Sequence, residues 1–179
     1  MTTMFFNTIL LIAAVGLQTT SPLTVTQDAV QINLQPRTPN QMASFYEARG
    51  FPKAMTDVLK QQCFITVRIH NTSNDILWLE LANWRFSSNG KALERNHRDV
   101  WKQRWQEMDM PLRSQSTFRW TLIPETLDYL PDESEGGNII LPRVEGPIAL
   151  DADFMTGADK QGPVVNIHVD ALYCAKNPT

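Results

Sequence analysis

Three residues near the middle of the chain have side chains of the types that can bind copper. His97 offers an imidazole, and Met108 and Met110 offer two thioethers in a Met-x-Met pair. Thioethers combined with imidazole suit Cu(I) in an oxidising compartment. A periplasmic copper-binding protein that uses His97, Met108 and Met110 as metal ligands is therefore one hypothesis. The alternative is core packing, because Met108 also belongs to an apolar helix stripe.

An acidic segment at residues 128–135 offers oxygen ligands of the kind that Ca²⁺ prefers. Its carboxylates do not have the spacing of an EF-hand loop, so a solvated acidic turn is the favoured interpretation. Copper remains the metal to consider, and we expect no other cofactor.

The sequence lacks the short motifs of the common catalytic folds. GxSxG, HExxH, GxxxxGK and GxGxxG are all absent, which removes the signatures of α/β-hydrolases, zincins, P-loop proteins and dinucleotide-binding enzymes. His70, His97 and His168 are scattered along the chain, and no serine lies on a recognisable nucleophile elbow. Catalytic triads assemble in space rather than in sequence, but we expect a protein that is not an enzyme.

Residues 98–108 form an amphipathic pattern that combines tryptophan with positive charge. Val100, Trp101, Arg104, Trp105 and Met108 recur at helical spacing, which predicts a helix inserted between strands. Its basic and aromatic side chains are the candidate binding residues for a partner protein or an anionic envelope surface: Arg98, Trp101, Lys102, Arg104 and Trp105. The alternative is that both tryptophans are buried and the cations are simply solvated.

Charge is distributed unevenly along the 179 residues. The formal net charge is only −3, which argues against non-specific nucleic-acid binding. Residues 85–119, however, carry eight Lys and Arg against four acids, and residues 125–159 carry nine acids against Arg143 alone. These two segments either pair with each other or present separate charged patches.

The first 27 residues carry no Lys, Arg, Asp or Glu. Residues 4–15 are mostly apolar and would rise about 18 Å as a helix, too short for a bilayer core of about 30 Å. This length is typical of a secretory signal. We predict a signal peptide over residues 1–16, with cleavage after Gly16 and an outer limit near residue 21. An apolar N-terminal strand or an uncleaved anchor is the alternative. No cysteine follows the apolar run, so we do not expect a lipoprotein anchor.

Cys63 and Cys174 are the two cysteines. In an exported protein an even number of cysteines favours a disulfide, and closing a loop of about 100 residues contributes up to about 4.7 kcal/mol. The alternative is two buried free thiols in neighbouring strands.

The remaining signals describe the elements that position these residues. Thr38, Pro39 and Gln41 form a helix-start pattern that predicts a helical segment over residues 38–60. From Cys63 onward the apolar period changes to two. We predict strands at residues 30–34, 63–70, 76–81, 91–94, 117–123, 138–141, 147–155 and 164–172. Trp78, Trp84 and Trp120 lie in or beside these segments and are expected in the core or on a sheet face.

The segment CFITVRIHNTSNDILWLEL, the SSNGKAL hairpin and PLRSQSTFRWTLIP together resemble small exported bacterial β-sandwich domains of the immunoglobulin-like, telokin-like kind. The resemblance covers residues 63–172. It implies an antiparallel sandwich in which a strand begins after the Pro-Leu pair, and it implies a role in binding, assembly or envelope maintenance.

The predicted protein is a mainly β, antiparallel, immunoglobulin-like sandwich over residues 23–179, with an N-terminal helical segment and one inserted amphipathic helix. We expect a periplasmic or extracellular, non-enzymatic binding or accessory module of the cell envelope that acts through protein–protein interaction. Peripheral membrane contact is included in this expectation. The copper-binding protein is the first alternative, and a carbohydrate-binding module with exposed tryptophans is the second.

Overall fold

The fold was established from a computed structural model, which describes residues 21–178. The predicted signal peptide lies outside these residues. In the described part of the chain no helix has both the length and the apolar character needed to cross a membrane.

Within residues 21–178, nine strands form two antiparallel sheets. Sheet 1 has the order β1-β2-β3-β7, in which β1 is Leu23–Gln27, β2 is Val30–Arg37, β3 is Gln62–Asn71 and β7 is Ser134–Pro142. Sheet 2 has the order β5-β4-β8-β9, in which β5 is Lys91–Ala92, β4 is Leu77–Ser88, β8 is Ile148–Thr156 and β9 is Val165–Leu172. The short strand β6, Thr126–Tyr129, pairs with the first half of β4.

The two sheets pack face to face around one apolar core. Alternation along β3 points Cys63, Ile65, Val67 and Ile69 into this core, and β8 contributes Ile148, Leu150, Ala152 and Phe154 in the same way. A half-buried strand with one apolar face needs this arrangement. The predicted fold class, a mainly β antiparallel sandwich with helical additions, is confirmed.

Sheet 1 is buried on both faces only toward the Phe64 end of β3, because Gln31 and Arg68 on the same outer face are exposed. Four helices of the described chain cover that end. They are α1 (Pro39–Glu47), α2 (Lys53–Lys60), α3 (Arg98–Glu107) and α4 (Leu112–Thr121). Phe64 of β3 and Ile140 of β7 are register partners that point outward and pack under these helices. The molecule therefore has three layers, helices on sheet 1 on sheet 2, with a second apolar core between the first two.

The predicted helix starts are confirmed at α1 and α3. Thr38 caps α1, and both hydrogen bonds of a capping box to Gln41 are present. The inserted helix begins at Arg98, as the pattern indicated, with His97 as its N-cap.

The strand predicted at residues 117–123 is wrong, as is the strand that the resemblance implied after Pro111 and Leu112. This segment forms α4, with Pro111 as its N-cap. The inward residues of α4 are Ser114 and Phe118, four positions apart, whereas a strand would place Phe118 and Trp120 on one face. Phe118 is 1% exposed and Trp120 is 83% exposed, so the helical period determines which side chains are buried.

The predicted disulfide joins Cys63, near the start of β3 in sheet 1, to Cys174, which follows β9 of sheet 2. The two Cα atoms are 5.2 Å apart. Arg143 supports the same junction, because its guanidinium donates hydrogen bonds to the carbonyls of Gln62 and Ala175. The C-terminal segment is thereby fastened across the end of the sandwich.

Candidate functional site

The two tryptophans of α3 are buried rather than exposed. Trp101 and Trp105 are each 1% exposed, so the prediction that they form a contact surface is wrong. Their rings stack at 5.3 Å, and both meet the ring of Phe118 edge-on at 5.3–5.4 Å. They face sheet 1, where apolar groups are removed from water. Burial of both tryptophans was the alternative in the sequence analysis.

The cations of α3 have three different environments. Lys102 is exposed, and Arg104 lies over the ring of Trp101 at 5.6 Å from its centroid. Arg98 is half-buried and donates a hydrogen bond to the carbonyl of Leu122. Burial, and then the nearby charge of Arg119, lowers the pKa of the Arg98 guanidinium, which still remains charged at neutral pH.

Glu125 fixes the position of the first turn of α3. Arg95 donates two hydrogen bonds to this carboxylate, at 3.0 and 2.5 Å, and the backbone N–H of Arg98 donates a third at 3.1 Å. Burial opposes ionisation of Glu125, but the hydrogen bonds and charge of Arg95 outweigh it and hold the pKa of the carboxyl below its usual range. The sequence analysis missed this residue, because the partners lie 30 positions apart.

Helix α4 carries an exposed apolar stripe that the sequence analysis also missed. Leu112 is 78% exposed and Trp120 is 83% exposed, and they lie at positions i and i+8 with the exposed Ser116 between them. Residues at this spacing share one face of a helix. They are the two most exposed large apolar side chains in the described part of the chain. The prediction that Trp120 lies in the core or on a sheet face is therefore wrong, because it is exposed on a helix.

A groove of about 250 Å³ runs between α3 and α4 beside this stripe. It has an apolar floor and polar or charged walls, and its lining residues are Arg98, Lys102, Trp105, Gln106, Leu112, Gln115, Ser116, Phe118, Arg119 and Leu122. None of these lining residues, which all lie in the described part of the chain, carries a carboxylate.

The positive charge of α3 and α4 is largely uncompensated. Five cations lie on these two helices: Arg98, Lys102, Arg104, Arg113 and Arg119. Only Arg119 has a carboxylate within ion-pair distance among the described residues, at 3.4 Å from Asp99. The two charged segments do pair elsewhere, through Arg85 with Asp153 and Arg95 with Glu125. The two charged segments therefore pair in part and also leave a separate patch, because the α3–α4 surface keeps a net positive charge.

The copper site predicted at His97, Met108 and Met110 is not assembled. His97 caps one end of α3 and Met108 caps the other, which separates them by about 16 Å along the helix axis. Met108 and Met110 pack against the core beneath the helices. The copper hypothesis is wrong for these ligands, because one rigid helix keeps them apart.

The acidic segment at 128–135 is divided among different contacts. Glu133 accepts a hydrogen bond from the backbone N–H of Leu130, and Asp132 lies 2.9 Å from the ring of His70. Within residues 21–178 no three His, Cys, Asp or Glu side chains converge as metal ligands. The solvated acidic turn is the better description.

The outer face of sheet 2 carries a polar network centred on His168. Its Nδ1 lies 2.7 Å from Asp151, and its Nε2 lies 2.6 Å from Asp170. The hydrogen bonds to Asp151 and Asp170 raise the pKa of His168 above its ordinary value. Both ring nitrogens are engaged and the cluster lies on an open sheet face, so it is a stabilising surface network rather than a reaction centre.

The other two tryptophans offer little free surface. Trp84 is buried in the sandwich core. Trp78 is half-buried, donates a hydrogen bond from Nε1 to the carbonyl of Gly157 and lies under Lys160. Trp120 is therefore the exposed indole among the five tryptophans, all of which belong to the described residues.

Comparisons with known proteins leave the function open. No family model matches the sequence, and no curated protein matches it. The crystal structure of a Bacillus subtilis subsp. subtilis str. 168 protein, provisionally described as a lipoprotein (ycdA), is similar over 84% of this chain. The TM-score is 0.43 and the sequence identity is 14%, and this chain spans 39% of the length of that protein. Function must therefore be argued from the chain's own side chains.

Proposed function

We propose that this protein is an exported, non-enzymatic accessory protein of the bacterial cell envelope that binds a partner protein through α3 and α4. The observation that carries the proposal is the exposure of Leu112 and Trp120 beside the cations of α3 and α4, of which only Arg119 has a carboxylate partner among the described residues. Exposed tryptophan and arginine are the residue types that contribute most at protein interfaces. Large apolar groups left in water on one face of a helix are typical of surfaces that a partner covers.

Two features support export. The Cys63–Cys174 disulfide fits an oxidising compartment, because cytoplasmic reductants keep most thiols reduced. The charge-free N-terminal segment has the length of a secretory signal. Mass spectrometry of the protein recovered from the producing bacterium should show a mature chain that begins at Leu17. Its mass should be lower than that of the reduced chain by the mass of two hydrogen atoms, because the disulfide is formed. A chain that retains residue 1 and two free thiols would contradict export.

Binding is tested by site-specific crosslinking in intact cells. A photo-crosslinking residue placed at Ser116, between Leu112 and Trp120, should give a discrete product with an envelope protein. The double variant L112A/W120A should lose this product. The matched control is the same probe at Asp159, which lies in an exposed loop beside sheet 2. No product from position 116, or the same product from both positions, would overturn the proposal.

A carbohydrate partner is a second candidate, and the exposed indole of Trp120 favours it. Stacking of a sugar on that indole would change the fluorescence of the wild-type protein but not that of the W120F variant. Titration with cell-wall glycans measures this difference.

A further inference from the structure

The groove between α3 and α4 has a floor that is suited to one apolar side chain. Trp105 and Phe118 lie at the base of the groove but are each 1% exposed, so the apolar surface that a ligand can reach is mainly that of Leu112, which is 78% exposed. The volume of about 250 Å³ lies below the roughly 300–1,000 Å³ of typical small-molecule pockets. The groove therefore fits a part of a larger ligand, such as one side chain of a polypeptide segment that continues along the helices.

The walls of the groove determine the charge of that segment. Arg98 and Lys102 lie one turn apart on α3, and Arg119 faces them from α4. Asp99 partly neutralises Arg119 at 3.4 Å, and both side chains are more than half exposed, so this pair is weak. Two or three positive charges thus surround an apolar floor with no lining carboxylate, which favours an anionic partner.

The length of the groove limits how much of a partner it covers. Helices α3 and α4 have ten residues each and are about 15 Å long. Four or five residues in an extended conformation span this distance, as do about ten residues of a helix. A short linear segment therefore suffices to fill the groove and to reach the cations at its walls.

Resting on the proposed function, we propose that the groove binds an acidic amphipathic segment of the partner protein. One large apolar side chain of that segment enters the groove and packs against the exposed side chain of Leu112, above the buried rings of Trp105 and Phe118. Its neighbouring Asp or Glu side chains pair with Lys102, Arg119 and Arg98. Leu112 and Trp120 extend the apolar contact along α4. A bilayer fits this geometry less well, because a flat headgroup surface does not reach a floor that is recessed between two helices.

Synthetic peptides measure this chemistry directly. The first probe is a fluorescent peptide rich in Asp and Glu with one central Phe, the second replaces that Phe with Ser, and the third replaces every acid with its amide. We expect the first probe to bind and both others to bind at least about tenfold more weakly, or about 1.4 kcal/mol. Binding of the first probe should also weaken as salt is raised.

Variants then locate the binding site. K102E and R119E should each weaken binding of the first probe about tenfold or more. L112S should also weaken binding of the first probe, because it removes the exposed apolar group of the groove without changing its charge. The matched control is K91E, which reverses an exposed charge on β5, away from these helices. Circular dichroism and thermal unfolding confirm that each variant folds. Should R119E and K102E both fail to fold, L112S still tests the site.

Several outcomes would overturn the inference. Equal binding of the Phe and Ser probes would show that apolar contact in the groove does not contribute to binding. Equal binding of the acidic and amide probes would show that the charges do not contribute. Sedimentation with phosphatidylglycerol vesicles but not with phosphatidylcholine vesicles, together with no peptide binding, would show a membrane surface instead. If crosslinking from position 116 still captures an envelope protein while no acidic probe binds, the inference fails and the proposed function stands.

Discussion

At the scale of single residues, the buried polar groups of this protein fall into two kinds. Tyr46 is a residue of α1 that is buried in the core between the helices and sheet 1, and its hydroxyl is 2.8 Å from that of Thr121. Tyr129 lies in the sandwich core, and its hydroxyl has no hydrogen-bond partner among the described residues. Burial raises the pKa of Tyr46 to about 12 and raises that of Tyr129 further, so both are neutral hydroxyls whose contribution depends on hydrogen bonding.

We therefore expect Y129F and Y46F to have opposite effects. Removing the unpaired hydroxyl of Tyr129 should raise the free energy of unfolding by about 1 kcal/mol, because its desolvation cost disappears. Removing the paired hydroxyl of Tyr46 should lower the free energy of unfolding by about 1 kcal/mol. Urea denaturation followed by far-ultraviolet circular dichroism measures both. A loss of stability in Y129F would show that the hydroxyl is paired.

His168 gives a prediction about pH. Because Asp151 and Asp170 raise its pKa in the folded state, its stabilising effect is full below the unfolded pKa of about 6.5 and is lost as pH rises through the folded value. Nuclear magnetic resonance should show the raised pKa directly. D170N should lower it, whereas the control D153N should not, because Asp153 contacts Arg85 and Asn166 instead. An unchanged His168 pKa in D170N would contradict the network.

At the scale of elements, the loop before α3 and the segment after α4 are joined by a single carboxylate. Glu125 binds Arg95 and the first N–H of α3, and so holds the entry to the helix pair that carries the proposed binding surface. Its lowered pKa means that the stabilisation is present above the unfolded pKa of about 4.3 and is lost as pH falls through the folded value.

E125Q should lower the free energy of unfolding at neutral pH by about 1–2 kcal/mol, since it weakens charge-assisted hydrogen bonds that are partly exposed. The difference from wild type should shrink in acid. E145Q is the control, because Glu145 pairs with Lys176 in an open surface position, and we expect a change within about 0.5 kcal/mol. Guanidinium denaturation across a pH series measures both. Equal effects at every pH would contradict a role for the Glu125 charge.

The elements also show what the sequence can and cannot predict. Alternation identified β3, β8 and β9, and the Thr38 and Gln41 pair identified the start of α1, because these signals are local. Helix α4 was mistaken for a strand because Phe118, Trp120 and Leu122 also alternate. Only half of the proposed binding surface was predicted. Lys102 was identified by its charge, but which of Trp105 and Trp120 is buried depends on how the helices pack on sheet 1, which no local pattern records.

At the scale of the whole molecule, the disulfide connects the two sheets across a sequence separation of 111 residues. The double variant C63S/C174S should lower the free energy of unfolding by about 2–5 kcal/mol, chiefly because the unfolded chain regains freedom. Denaturation with and without reductant provides the measurement, and the variant itself should be indifferent to reductant. An unchanged stability would show that native strain offsets the constraint.

The same bond has a consequence for protease resistance. Cys63 and Cys174 close a covalent ring that contains β3, β7, α3, α4 and every strand of sheet 2. Among the described elements, β1, β2, α1 and α2 precede this ring. A protease that cuts once in an exposed loop of the ring, such as residues 157–162, opens the backbone but releases no fragment. A singly nicked molecule therefore keeps its full mass until it meets a reductant, and it retains all the groups that form the α3–α4 groove.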